Sequence, residues 1–114
     1  MSSPEQELLD LGKRYWLPVY KPRELVLDHG RGSRVWDTQG RDYIDFGAGI
    51  AVNSLGHQDP DLLAALATQA HKLWHASNVF YTEPPLRLAE ELVVASGFAE
   101  RVFLCNSGAE ANEA

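Results

Sequence analysis

The fold class is decided by one stretch near the end of the chain, Arg101-Val102-Phe103-Leu104-Cys105-Asn106-Ser107-Gly108-Ala109-Glu110. Its first five residues are an apolar run without alternation, which is typical of a strand covered on both faces in a parallel sheet. Ser107 and Glu110 then have the spacing of a capping box, which predicts that a helix begins directly after the strand. A buried strand followed at once by a helix predicts an α/β domain.

The predicted strand-to-helix corner has the properties of an anion site. In a capping box the Ser107 hydroxyl accepts from the N–H of Glu110, and the Glu110 carboxylate accepts from the N–H of Ser107. The N–H groups of Gly108 and Ala109 then stay free at the positive end of the helix, where a phosphate can approach Gly108 closely. Capping boxes also open many helices that bind nothing, so a purely structural role is the alternative. A Walker P-loop is excluded because no Gly-Lys-Ser/Thr follows.

Two helices with clear boundaries are predicted upstream of this corner. Asp59 is a good N-cap for a helix that has Pro60 at its first position. A second helix opens near Thr82 and stops at Gly97. Apolar stripes at helical spacing predict the buried faces: Leu62, Leu63, Leu66, Ala70, Leu73 and Trp74 on the first, and Leu86, Ala89, Leu92, Val93 and Ser96 on the second.

The N-terminal half of the chain predicts a small antiparallel β unit. Residues 3–15 indicate a short helix, and residues 25–28, 33–37 and 43–46 indicate strands. Asp37-Thr38-Gln39-Gly40 has the composition of a type I turn. Glycines at 47, 49 and 56 follow, which indicates backbone that turns sharply or packs closely, against either a ligand or another backbone. Their spacing does not fit a Rossmann fingerprint.

Composition excludes several classes of function. The chain has 114 residues, 45% of them hydrophobic, and a net charge of −6, so a basic face for nucleic acid or an anionic membrane is not expected. No secretory signal and no run of roughly 18 apolar residues is present. One cysteine, Cys105, implies no disulfide framework. We therefore expect a cytoplasmic protein, and the missing stop signal after Ser107 predicts that the chain is cut within a helix.

Several longer stretches match one family in order and spacing. They are Leu17-Pro18-Val19-Tyr20, Gly32-Ser33-Arg34-Val35-Trp36-Asp37, Tyr43-Ile44-Asp45-Phe46, Gly49-Ile50-Ala51-Val52-Asn53-Ser54-Leu55-Gly56-His57, Leu73-Trp74-His75, Ser77-Asn78-Val79-Phe80-Tyr81-Thr82-Glu83-Pro84 and Asn106-Ser107-Gly108-Ala109-Glu110-Ala111-Asn112-Glu113-Ala114. In these motifs the chain resembles the acetylornithine and succinylornithine aminotransferases. The resemblance covers nearly the whole chain after about Tyr15, and the motifs are specific jointly rather than singly.

The resemblance implies an α/β fold, the N-terminal part of a fold-type I transferase that depends on pyridoxal 5'-phosphate (PLP). Residues 1–75 would form an N-terminal segment with the small antiparallel β unit and its following helix. Residues 76–114 would begin the large PLP-binding domain with its parallel sheet. The phosphate of the cofactor would be held by Ser107, Gly108 and Ala109. The substrate pocket would be bordered by Ile50, Asn78 and Tyr81.

The implied activity is transfer of the δ-amino group of N-acetylornithine to 2-oxoglutarate, in arginine biosynthesis, by a cytoplasmic homodimer. Ornithine aminotransferases usually have Tyr where this chain has Ile50, which favours an acylated donor. In family members the catalytic lysine lies beyond Ala114, and Lys13, Lys21 and Lys72 match no catalytic motif. No catalytic residue is therefore assigned, and this chain alone should be inactive.

Alternatives remain open at this level. The donor could be succinylornithine or ornithine, and the chain could be a non-catalytic remnant that pairs through its sheet edge, or a free-standing phosphate-binding domain. His71 and His75 are spaced four apart on a predicted helix, but no third ligand accompanies them and no metal is expected. His57 is interpreted as a loop or cap residue. Trp36, Trp74 and Cys105 are predicted to be buried.

Overall fold

The computed structural model describes residues 3–114, which form one three-stranded sheet and five helices. They divide into two compact units, the first ending at His71 and the second beginning at Lys72. The predicted division into residues 1–75 and 76–114 concerns the domains of a larger enzyme and stays a prediction.

The first helix, α1 (Pro4–Tyr15), confirms the helix predicted over residues 3–15. Ser3 caps it, because its side chain accepts from the N–H of Gln6 at 3.2 Å, and Pro4 occupies the first position, where no N–H is needed. Acidic residues lie in its first turn and basic residues in its last, as the helix dipole favours.

The predicted antiparallel unit is present as strands β1 (Leu27–Arg31), β2 (Arg34–Asp37) and β3 (Asp42–Ile44), in that spatial order. The predicted turn is also confirmed, since the N–H of Gly40 donates to the carbonyl of Asp37 at 2.9 Å. The first strand begins two residues later than predicted. Its ladder runs on to Arg31, opposite Arg34, so pairing rather than local hydrophobicity sets its limits.

Asp37 is the centre of this unit, and its side chain is fully buried. The carboxylate accepts from the N–H groups of Gln39 and Arg41 at 2.9 Å each, from Nε of Arg41 at 2.6 Å and from the Tyr43 hydroxyl at 2.8 Å. Glu5 of α1 also reaches the hairpin, through a hydrogen bond from Gln39 and an ion pair with Arg41 at 3.7 Å. One carboxylate therefore holds the turn and both strands that flank it.

Acid should weaken this unit in a defined pH range. Burial acts to raise the pKa of Asp37, but hydrogen bonds from Arg41, Tyr43 and Gln39 outweigh it and lower the pKa from 3.8 to about 2. The folded state therefore binds fewer protons, so the stabilisation is complete above pH 3.8 and is lost as the pH falls towards 2. Melting temperatures between about pH 5 and about pH 2.5 should fall more steeply for the wild type than for Asp37→Asn. An equal dependence of melting temperature on pH in the two proteins would contradict the lowered pKa of Asp37.

Four further helical segments follow: α2 (Ala48–Ala51), which is a single turn with positive φ angles, α3 (Pro60–Ala70), α4 (Glu83–Ser96) and α5 (Gly108–Glu113). The predicted start of α3 is confirmed, because the Asp59 side chain accepts from the N–H groups of Asp61 and Leu62. The predicted end of α4 is confirmed at Gly97, which has a φ of 69°.

The strand predicted over residues 101–105 is wrong for this chain. The segment has no regular secondary structure, and Cys105, predicted to be buried, is exposed. A strand is stable only as part of a ladder, and no segment within residues 3–114 pairs with this one.

The predicted apolar stripes lie on α3 and α4, except for Leu73 and Trp74, which follow the end of α3 at Ala70, and none of their side chains is buried. Val35 is the only buried hydrophobic side chain within residues 3–114, at 8% exposure. Trp74, predicted as core, is 87% exposed, whereas Trp36 is half-buried and stacks on His29 with 4.9 Å between ring centroids. Among the elements of the described range, only the strands pack against one another, so no other helix or strand packs on the helical stripes. The same range contains no helix long and apolar enough to cross a membrane.

Candidate functional site

The glycine-rich segment, residues 47–56, begins with a left-handed backbone turn that corresponds to α2. Four consecutive residues have positive φ angles: 42° for Ala48, 61° for Gly49 and 63° for both Ile50 and Ala51. Hydrogen bonds from the N–H groups of Ile50 and Ala51 to the carbonyl of Gly47, at 2.8 and 3.2 Å, close this left-handed turn. The side chain of Ile50 is 97% exposed. The turn therefore presents an apolar side chain outwards.

This backbone carries strain, because left-handed conformations cost roughly 1–2 kcal/mol for each residue that has a Cβ. Three of the four residues, Ala48, Ile50 and Ala51, have one. Such strain persists only where the surroundings enforce it, and it concentrates at functional sites. The turn is therefore the part of the first unit that most needs a functional explanation.

The surroundings that enforce the turn begin with Asp45. Its Oδ1 accepts from the N–H groups of Gly47 at 3.0 Å and Ala48 at 2.8 Å, and its Oδ2 lies 2.9 Å from Nε2 of His57. The hydrogen bond from His57 lowers the pKa of Asp45, the N–H groups of Ala48 and Gly47 act in the same direction, and burial opposes them. The prediction that His57 is a loop or cap residue agrees with this contact.

The segment also returns to the sheet at a tightly fitted point. Gly32 and His57 exchange two backbone hydrogen bonds of 2.8 Å. A Cβ at Gly56 would lie 2.9 Å from the carbonyl oxygen of Gly32, and one at Gly30 would lie 2.5 Å from Cγ of His57. These two glycines are required by close approach. A cavity of about 320 Å³ lies beside this contact, between the turn and the sheet.

The other two predicted substrate-pocket residues lie in the second unit. Asn78 is exposed within a turn that is closed by a 2.9 Å hydrogen bond from the N–H of Phe80 to the carbonyl of Ser77. Tyr81 follows this turn and is 90% exposed. Both side chains are open to solvent, and the Ser77 hydroxyl donates to Oδ1 of Asn78 over a long 3.5 Å distance.

The predicted phosphate corner has the expected cap with one difference. The N–H of Glu110 donates to Oγ of Ser107 at 3.2 Å, and Ser107 donates to Oε2 of Glu110 at 2.8 Å. The return bond comes from the N–H of Asn106 at 3.1 Å, and not from Ser107 as predicted. Asn106 and Ser107 lie in a bend before α5, and no strand holds residues 101–105.

The N–H groups of Gly108 and Ala109 remain available. As the first residues of α5 they have no acceptor in a preceding turn, and none of the other residues from 3 to 114 supplies one. A Cβ added at Gly108 would meet no heavy atom within 4 Å, so the space in front of this backbone is open. Donors, helix dipole and open space together fit a phosphate group.

The histidine pair considered for a metal is not arranged as predicted. Helix α3 ends at Ala70, so His71 and His75 do not share one helical face. No group of three His, Cys, Asp or Glu side chains in the described part of the chain could hold a metal ion.

Sequence comparison identifies the family. The profile of the class-III aminotransferases matches residues 18–114, most of the chain. The chain belongs to the class-III aminotransferases.

Individual class-III aminotransferases are similar to the chain in sequence and in fold. An acetylornithine aminotransferase of Xanthomonas campestris pv. campestris is 65% identical over 114 residues, all of this chain but 28% of that protein. The crystal structure of an N-acetylornithine aminotransferase from Stenotrophomonas maltophilia superposes with a TM-score of 0.82 at 67% identity, covering 92% of this chain and 27% of the other. The chain therefore spans little more than a quarter of the length of such relatives, and its fold is the N-terminal part of theirs.

A more distant class-III structure retains the same fold. The ornithine aminotransferase of Toxoplasma gondii, crystallised with partial occupancy of PLP at its active site, gives a TM-score of 0.88 at 35% identity. The superposed region covers 96% of this chain and 25% of the Toxoplasma gondii chain.

The sequence did not single out the Asp45–His57 contact. Its signals were present but indirect. Asp45 lies two residues before Gly47, the spacing of a side chain that binds backbone N–H groups in a turn, and His57 follows Gly56. Nothing in either local pattern indicates that residues twelve positions apart meet.

Proposed function

We propose that this chain is the N-terminal part of a longer PLP-dependent aminotransferase that moves the δ-amino group of N-acetylornithine to 2-oxoglutarate. The observation that carries the proposal is 65% identity over 114 residues to an acetylornithine aminotransferase. The products are N-acetylglutamate semialdehyde and glutamate. The proposed enzyme is a cytoplasmic homodimer of arginine biosynthesis.

In the proposed enzyme, Ser107, Gly108 and Ala109 hold the phosphate of PLP. Three features support this role. Two N–H groups have no acceptor within residues 3–114, the space where Gly108 would carry a Cβ is open, and a cap fixes Ser107. Charge-assisted hydrogen bonds from backbone N–H groups suit a dianionic phosphate. When bound, PLP supplies the electron sink for the amino transfer, and this chain contributes binding and orientation.

Ile50, Asn78 and Tyr81 are proposed to border the substrate. Their support is exposure on short, well-defined turns, together with the strain of the turn that carries Ile50. An apolar Ile50 is suited to a neutral acylated α-amino group and gives the charged α-ammonium of ornithine no partner, so unacylated ornithine would be disfavoured. None of Lys13, Lys21 or Lys72 is assigned a catalytic role, so the group that moves protons comes from outside residues 3–114.

The proposal is tested with the full-length protein. Incubation with N-acetylornithine and 2-oxoglutarate should produce glutamate in proportion to PLP content, and kcat/KM should be higher for N-acetylornithine than for ornithine or 4-aminobutyrate. Glutamate formed only from one of the other two donors would refute the choice of substrate. No glutamate from any donor by PLP-loaded protein would refute the activity itself.

The affinity of the isolated 114-residue chain for PLP is a second, independent test. The enzyme proposal expects it to bind PLP weakly or not at all, because only one corner of the site is present. Tight binding of PLP or inorganic phosphate by the isolated chain would instead favour the free-standing phosphate-binding domain.

A further inference from the structure

One carboxylate connects both ends of the left-handed turn. Asp45 binds the start of the turn through the N–H groups of Gly47 and Ala48, and it binds His57 after the end of the segment. The side chains are mostly shielded from solvent, with 19% of Asp45 and 28% of His57 exposed. The contact therefore ties residues that are twelve positions apart in the chain.

The position of His57 is fixed by the sheet and does not depend on the left-handed turn. Its backbone is paired with Gly32 through two hydrogen bonds of 2.8 Å, and its ring lies against Gly30, where no side chain would fit. The ring can therefore act as a rigid reference point for Asp45.

Ile50 has little else to determine its position. Its side chain is almost completely exposed, so the backbone of the turn alone decides where it lies. That backbone is strained and is closed locally by four hydrogen bonds, from Ile50 and Ala51 to Gly47 and from Val52 and Asn53 to Ala48. Loss of an external anchor would let the turn relax to a right-handed form, and Ile50 would move.

We propose that Asp45 and His57 are positioning residues that hold the left-handed turn and thereby set the preference for an acylated over a free ornithine. The preference rests on the proposed function, whereas the holding of the turn does not. Neither residue needs to touch the substrate, because the pair acts through the position of Ile50.

The test compares His57→Leu and His57→Gln in the full-length, PLP-loaded protein. Leucine removes the donor at Nε2, while glutamine can place an amide N–H near the same point. The ratio of kcat/KM for N-acetylornithine to that for ornithine should fall about tenfold in His57→Leu and stay within about twofold of wild type in His57→Gln. The fall should come from KM for N-acetylornithine, with kcat per bound PLP little changed. A purely structural defect would lower the active fraction for both donors equally and leave the ratio unchanged.

A crystal structure of His57→Leu gives a readout that does not depend on activity. We expect the φ angles of residues 48–51 to change sign for at least one residue with a Cβ. An unchanged turn with Ile50 in place would overturn the proposal, whatever the enzyme acts on. A wild type without activity towards N-acetylornithine would refute the proposed function, and the turn would still be judged from the crystal structure.

The matched control is Asp28→Asn. Asp28 and His29 also form an aspartate–histidine contact, at 2.8 Å, but both side chains are more than half exposed and lie on β1. This variant should leave the substrate ratio unchanged. If His57→Leu does not fold, Asp45→Asn is measured in the same assays. Asparagine keeps an oxygen that accepts from the N–H groups of Gly47 and Ala48, and it weakens only the contact with His57. A wild-type ratio and an unchanged turn in Asp45→Asn would then overturn the proposal.

Discussion

Replacing Gly108 by valine should weaken the binding of PLP to the full-length protein by at least about 100-fold, because two charge-assisted hydrogen bonds to the phosphate are each worth about 1.5–3 kcal/mol. The donors are the N–H groups of Gly108 and Ala109, which have no acceptor within residues 3–114. A branched side chain at position 108 would occupy the space through which a phosphate reaches them.

The structure separates this effect from misfolding. A Cβ at Gly108 meets no heavy atom within 4 Å in this chain, so the substitution leaves the local backbone undisturbed. Gly12, in α1, is equally free of neighbours, and Gly12→Val is the matched control. The dissociation constant of PLP, measured by absorbance titration of the apoprotein, should rise only for Gly108→Val. An unchanged constant would remove Ser107, Gly108 and Ala109 from the cofactor site.

Features that depend on a few neighbouring residues could be predicted from the sequence. Ser3, Asp59 and Ser107 each cap a helix where the pattern predicted one, and Gly97 ends α4 with the left-handed conformation that glycine permits. The turn at Asp37 belongs to the same class. The hydrogen bonds that form the three N-caps and close the turn from Asp37 to Gly40 span at most four residues, so the local sequence contains these interactions.

Features that depend on distant partners could not be predicted in this way. The run at residues 101–105 has the composition of a buried strand, but a ladder needs a second segment, and hydrophobicity does not supply one. The prediction that Trp74 is buried was wrong for the same reason. Composition indicates that these surfaces are suited to be covered, and it cannot indicate what covers them.

The left-handed turn lies between these two classes. Glycine at 49 indicated unusual backbone, but Ala48, Ile50 and Ala51 adopt positive φ angles against their own preference. The enforcing contacts come from Asp45 and from the sheet, so the conformation is a tertiary effect. A conflict between local preference and the observed backbone is what a functional site is expected to produce.

Asp37→Ala should cause the largest loss of protection in the first unit. The substitution leaves Arg41 and the Tyr43 hydroxyl without their buried acceptor and frees the N–H groups of Gln39 and Arg41. Hydrogen exchange of these two amides in the full-length protein should accelerate about 100-fold, because unsatisfied buried partners are among the most destabilising of single changes.

The control for this prediction is Asp42→Ala, five residues further along the same hairpin. Asp42 pairs with Arg34, but both side chains are about half exposed, and such surface ion pairs contribute little. Exchange of the same amides should change by less than about threefold. Equal acceleration in the two variants would mean that the β ladder and Val35 hold the hairpin without help from the buried carboxylate. A difference of the expected size would mean that a polar centre replaces the apolar core that this sheet lacks, since Val35 is the only buried hydrophobic side chain within residues 3–114.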